Sequence, residues 1–269
     1  MAITDYFPKT LFAGKHLFVT GGGSGINLGI AKTFAALGSG VSICGRSQER
    51  LDGAAEELRA FGIPVFAQTA DVRDYAAVEA AIDAAGKALG PVSTLVCGAA
   101  GNFPAPAEKI SPNGFKAVVE IDLHGSFHAS KAAFEQLKTT RGSIIFISAG
   151  QAFHAYPMQA HVGAAKAGID MLMKDLALDW GRYGIRANSI APGPIADTEG
   201  MRRLAPGPDA LARLEKHIPA GRLGTVDDIG AAAAFLASPL ASYVSGTVLV
   251  VDGGQNLAGP GIGSSFAAS

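Results

Sequence analysis

Cysteine is nearly missing from this 269-residue chain: only Cys44 and Cys97 occur, and nothing in their spacing suggests a metal site or a disulfide framework. Both end apolar runs, as buried thiols often do, so a reducing cytoplasm is the expected compartment. Charge is scarce as well, at 17% of residues with a formal net charge of −1. No basic field therefore points to nucleic acid or to an anionic membrane surface. Long hydrophobic runs are missing too. The longest stretch without a charge, residues 230–251, is interrupted by Pro239, several serines and Gly246, and fits helix–turn–strand better than a membrane span. The start, "MAITDYFPKT", has no basic segment followed by an apolar one, so no signal peptide is expected. The end, "FAAS", is not a peroxisomal address of the Ser-Lys-Leu type. What is abundant is apolar residues, 48% of the chain, which argues for a packed protein rather than a disordered one.

Short apolar runs alternate with helical spacing along most of the chain. "KHLFVT" (15–20), "GVSICG" (40–45), "VFAQTAD" (65–71), "STLVCGAA" (93–100), "SIIFIS" (143–148), "RANSIAP" (186–192) and "TVLVVDGG" (247–254) read as strands. The intervening segments, such as "ERLDGAAEELRAF", "YAAVEAAIDAAGKAL" and a long stretch near 160–182, read as helices. This order implies βαβ units and a parallel sheet covered on both faces. No linker divides the chain, so a single doubly wound α/β domain of Rossmann type is expected over residues 1–269, with a short N-terminal extension and a Gly-rich C-terminal tail.

The segment "TGGGSGINLG" (20–29) falls where the first strand gives way to the first helix. Glycines there permit a tight turn, and the helix start offers free N–H groups to a pyrophosphate. Gly21, Gly23, Ser24, Gly25 and Ile26 are the expected cradle of a dinucleotide. The second strand ends in "ICGRS", with Arg46 and Ser47 where a carboxylate would bind a ribose 2′-hydroxyl. Arginine there accommodates a 2′-phosphate, which favours NADP(H).

With "TGGGSG", "TADV" (69–72), "AAKAG" (164–168) and "RANSIAPGPI" (186–195) in this order, the chain resembles the short-chain dehydrogenase/reductases over about residues 13–254. The resemblance implies a sheet of about seven strands and a homotetramer. It also implies that Asp71 and Val72 flank the adenine, that Ala99, Pro192 and Gly193 line the cofactor, and that Ile195 offers backbone groups to the nicotinamide amide. The chain departs from the family's pattern at several points. Asn27 stands at the third glycine of the phosphate loop, and the asparagine-rich turn after the fourth strand reads "VCGAAGNF". The usual Asn–Ser–Tyr–Lys set reads Asp122, Ala149 beside Ser148, Val162 and Lys166. Val162 has no proton to give.

"AAGNF" (99–103), "IDLHGSF" (121–127), "HVGAAKAG" (161–168) and "PGPIADTEGMRRL" (192–204) resemble the peroxisomal type of 2,4-dienoyl-CoA reductase. That resemblance implies NADPH-dependent reduction of a conjugated acyl-CoA-like thioester, with Asp122 and Asp252 doing the acid work and Lys166 holding the nicotinamide ribose. Ketone reduction creates an alkoxide beside the hydride acceptor and wants a tyrosine acid. Dienoyl reduction forms an extended dienolate instead, needing donors at the thioester oxygen and a proton at carbon. Asn102, Phe103 and Ser148 suit the substrate side.

Plainer readings stay open. Asp122 is also explicable as a paired structural carboxylate, Asp252 as the fixer of a final turn, Phe103 as core, and His161 as a packed or solvated histidine. Tyr156 lies ten residues before Lys166, too far along a helix to replace the missing tyrosine unless the intervening chain is a loop. Carbonyl reduction with a substitute acid, or an inactive NADP-binding protein, are the competing functions.

Overall fold

In the computed structural model, which describes residues 2–204 and 207–257, the alternation becomes seven parallel strands. In chain order the elements are β1 (His16–Thr20), α1 (Gly25–Ala36), β2 (Gly40–Gly45), α2 (Gln48–Arg59), β3 (Val65–Thr69), α3 (Tyr75–Leu89) and β4 (Thr94–Cys97). The second half runs through α4 (Pro112–Val119), α5 (Gly125–Thr140), β5 (Ser143–Ile147), α6 (Ala160–Trp180), β6 (Arg186–Pro192), α7 (Glu199–Leu204), α8 (Pro208–Glu215), α9 (Val226–Ala237) and β7 (Val248–Val251). The strands form the one parallel sheet that the alternation predicts, and their order in it is β3-β2-β1-β4-β5-β6-β7. Most of the expected Gly-rich tail falls outside the described residues.

The near-continuous apolar strands are explained by burial on both faces. Alternate side chains of one strand enter different cores, because successive residues point to opposite sides. Leu17 and Val19 pack with α1, α2 and α9 on one face, whereas Phe18 packs with α3, α5 and α6 on the other. Side-chain caps start several helices: Ser47 Oγ accepts from Arg50 N, Asp74 Oδ1 from Ala77 N, and Ser111 Oγ from Gly114 N. The charge-free stretch resolves as the C-terminal part of α9, a 3₁₀ turn and β7, and no helix among the described residues is long and apolar enough to cross a membrane.

The strand order reverses between β1 and β4. In an open parallel sheet, such a reversal opens a crevice beyond the carboxyl ends of those strands. The site lies there.

Candidate active site

The phosphate loop leaves β1 at Gly21, whose φ of +69° is left-handed, and a Cβ there would lie 2.9 Å from Cα of Ala99. Only glycine combines that turn with that approach. The cleft so formed, about 580 Å³, gathers Gly21, Gly23, Ser24, Gly25, Ile26, Arg46, Ser47, Asp71, Val72 and Ala99. It thus brings together the expected adenosine and phosphate residues, and its glycine cradle with an exposed arginine at the rim fits a phosphorylated dinucleotide. Asn27 has a definite job: its Nδ2 donates to the carbonyls of Gly21 (3.2 Å) and Gly98 (2.8 Å), tying the phosphate loop to the turn after β4. Asp71 is forked by Arg73, whose hydrogen bonds hold the carboxyl below its ordinary range. The His128 ring donates to the Val72 carbonyl at 2.9 Å, fixing that wall of the cleft.

A second cavity of about 880 Å³ shares Ile26, Ile147 and Thr198 with the first. Ser148, Pro192, Gly193 and Ile195 line it, as do Tyr156, Gln159 and Asn256. Lys166 is buried on α6 near the shared wall. Its ammonium donates to the Ile147 carbonyl at 2.8 Å and stands 3.2 Å from Asp122 Oδ2. Asp122 is fully buried, and its Oδ1 accepts from the Gly101 amide at 2.7 Å. Between α4 and α5 the chain makes a wide π turn, Glu120–His124, with Asp122 at its centre. Such turns insert an extra residue and re-aim side chains, often at functional sites.

Val162 is buried with Val118 and Ala165 in a small apolar cluster, so the tyrosine position offers no proton. Ser148 donates to Asp170 Oδ2 at 2.9 Å. Burial pushes the Asp170 carboxyl up, against the pull of the Ser189 and Ser148 hydroxyls and of Lys166 and Lys174. Asp252 spends both carboxylate oxygens on its own turn. Its Oδ1 accepts from Gly254 N at 2.8 Å, and its Oδ2 from Asn256 N at 2.8 Å and Asn256 Nδ2 at 2.7 Å. The turn-fixing reading therefore describes its contacts.

Asn102 and Phe103 line neither cavity; the Phe103 ring rests 4.3 Å from that of buried His161. Sequence reasoning missed Asn27, Asp170 and Asn256 as contributors. Helical distance discounts Tyr156 unless a loop intervenes, and one does: α6 begins only at Ala160, and Tyr156 lines the cavity from the segment before it.

Comparison with known proteins agrees with this geometry. The family model described as enoyl-(acyl carrier protein) reductase matches residues 21–256. A peroxisomal 2,4-dienoyl-CoA reductase, (3E)-enoyl-CoA-producing, of Saccharomyces cerevisiae is 46% identical over 91% of this chain and 85% of its own. A probable 2,4-dienoyl-CoA reductase, (2E)-enoyl-CoA-producing, of Bacillus subtilis is 43% identical over 90% and 96%. Among solved structures, a gluconate 5-dehydrogenase from Burkholderia cenocepacia in complex with NADP and tartrate superposes with a TM-score of 0.86, at 34% identity over 93% of this chain and 98% of that one. An NADPH-bound short-chain oxidoreductase of Pseudomonas aeruginosa containing an atypical catalytic center gives a TM-score of 0.84, at 30% identity over 90% and 97%. This chain belongs to the short-chain dehydrogenase/reductase family of oxidoreductases.

Proposed function

We propose that this protein reduces 2,4-dienoyl-CoA thioesters with NADPH and releases the (3E)-enoyl thioester. The observation that carries the reading is the buried Asp122–Lys166 pair beside an apolar residue at the tyrosine position. The dienoyl-CoA reductases among its relatives support the substrate class. Arg46 and Ser47 at the cleft rim, with no carboxylate between them and β2, support the 2′-phosphate.

Gly21, Gly23, Ser24 and Ile26 would hold the pyrophosphate, Asp71 and Val72 the adenine, and Lys166 the nicotinamide ribose. Once bound there, a reduced nicotinamide would supply the hydride that C5 of the conjugated chain accepts. The electron pair displaced from the C4–C5 bond moves along the chain: C3 and C4 become doubly bonded, and negative charge gathers on the thioester oxygen. A proton then adds at C2, restoring the carbonyl and leaving the C3–C4 double bond. This chain must supply two things, a donor to the oxygen and a proton to carbon. Asp122, fixed by the Gly101 amide and Lys166, orients the water that delivers the proton. An alkoxide beside the hydride acceptor never forms, so an acid at position 162 is dispensable. The two free, buried cysteines suit a reducing cytoplasm.

The test is NADPH oxidation with 2,4-hexadienoyl-CoA, 3-oxohexanoyl-CoA and simple ketones in parallel. Consumption of the dienoyl thioester alone, with a (3E) product by NMR, is expected. Preferential turnover of the oxo substrates would make this a carbonyl reductase, and turnover of none would leave a nucleotide-binding protein.

A further inference from the structure

Tyr156 stands in the wall of the larger cavity, half buried, in the loop between the 3₁₀ turn Gly150–Ala152 and α6. Its hydroxyl donates to Asn256 Oδ1 at 2.9 Å. Asn256 is itself clamped, its backbone N–H and its Nδ2 both donating to Asp252 Oδ2 at 2.8 and 2.7 Å. The other oxygen of Asp252 accepts from Gly254 N. Asp252 thus engages three N–H donors and meets the cavity through Asn256. Gly150 makes room for the arrangement: a Cβ there would lie 2.6 Å from Asn256 Oδ1 and 3.0 Å from the Tyr156 hydroxyl oxygen. Two segments of the chain, 150–156 and 252–256, therefore converge to hold one phenol at the cavity wall.

We propose that Tyr156 is the hydrogen-bond donor to the thioester oxygen of the substrate, held for that task by Asn256 and, behind it, Asp252. The proposal rests on the dienoyl-thioester reading above and supplies the oxygen donor which that reading requires. Rotation about its C–O bond turns the phenol hydrogen from Asn256 Oδ1 to an oxygen entering the cavity. Burial, with Asp252 nearby, pushes the phenol up from its ordinary range, so the hydroxyl keeps its proton and stays a donor. A donor placed where negative charge develops lowers the barrier because that bond strengthens as the charge forms. Tyr156 is then a catalytic residue, and Asn256 and Asp252 are positioning residues acting through it. This phenol enters from a loop, not from the α6 turn where Val162 sits.

Tyr156→Phe removes only the hydroxyl. It should lower kcat for 2,4-hexadienoyl-CoA by about 10²-fold, the scale for losing one oxyanion donor, while KM rises only about 5-fold, as for one neutral hydrogen bond, and the NADPH dissociation constant moves little. Asn256→Ala should cost less, and should add almost nothing in the Tyr156→Phe background, since both act through one group. Gly150→Ala should resemble Asn256→Ala. Independently of turnover, calorimetric binding of the non-reducible hexanoyl-CoA in the presence of NADP⁺ should weaken roughly 5-fold in Tyr156→Phe, as for one neutral hydrogen bond. Unchanged kcat together with unchanged hexanoyl-CoA affinity in Tyr156→Phe overturns the proposal, as do fully additive effects of the two substitutions. A wild-type protein that binds hexanoyl-CoA through Tyr156 yet reduces no dienoyl thioester would overturn the proposed reaction and leave the contact standing.

Discussion

Asp122 and Lys166 form a buried ion pair, 3.2 Å from carboxylate to ammonium, between the π turn that joins α4 to α5 and the first turns of α6. Each has one further tie, Asp122 to the Gly101 amide and Lys166 to the Ile147 carbonyl. Asp122→Ala strands a buried ammonium and should cost about 3–5 kcal/mol of stability. Asp122→Asn keeps the acceptor for Gly101 and is the cleaner probe. It should cut dienoyl-thioester turnover by roughly 10²-fold or more, with cofactor affinity nearly unchanged in a fluorescence titration. Lys166→Ala should weaken both. Full turnover in Asp122→Asn would remove the displaced-acid mechanism.

Val162→Tyr restores the family's usual residue at a place that is already filled. Val162 is packed against Val118 and Ala165, so the added ring must displace neighbours, costing about 1–3 kcal/mol. A lower thermal midpoint and no gain in dienoyl turnover are expected. A rise in turnover would mean that a phenol at this position is useful after all.

Arg46 is exposed at the cofactor cleft, next to Ser47, whose hydroxyl is occupied in capping α2. Arg46→Ala should weaken NADPH binding roughly 10–100-fold, the worth of a charge-assisted hydrogen bond, and leave NADH binding alone. Equal affinity of the wild-type protein for both cofactors defeats the NADPH assignment.

His16 carries a pH dependence far from the site. Its Nδ1 donates to the Gly90 carbonyl at 2.6 Å, so Nε2 in the neutral ring accepts from the Ser42 hydroxyl at 2.7 Å. Burial pushes the imidazole below its ordinary value of 6.5. Because the folded state disfavours the proton, the contribution is complete above about pH 6.5 and is lost as pH falls through the lower folded value. Thermal midpoints measured from pH 8 to pH 5 should drop more steeply in the wild type than in His16→Gln. Parallel curves would show that His16 is not the titrating group.

A homotetramer is expected from the family resemblance. Phe115, Phe127, Met171 and Leu178 leave apolar surface exposed on α4, α5 and α6, in helices suited to packing between subunits. Light scattering at micromolar concentration should give four chains per particle, and a monomer would refute it.

Much of the framework is written locally. Strand and helix periodicity, the glycine loop after β1 and the basic end of β2 are short-range patterns, because side-chain spacing and φ preferences act within a few residues. β4 ends at Cys97, short of the apolar run that suggests it, where the chain turns into the glycine-containing segment whose amides Thr20 and Asp122 hold. Tyr156 had a local signal too: Pro157 follows it, and a residue before proline avoids the helical region, so the chain there need not extend α6 backwards. Nothing local, however, marks Asp122 as Lys166's partner, Asn27 as the clasp on Gly98, or Asn256 as the seat of the Tyr156 hydroxyl. Those pairs join residues 44, 71 and 100 positions apart. The sequence by itself determined the sheet, the cofactor loop and the loss of the usual acid. Only the tertiary structure decided which polar groups meet, because burial forces each to find a partner wherever packing brings one within reach.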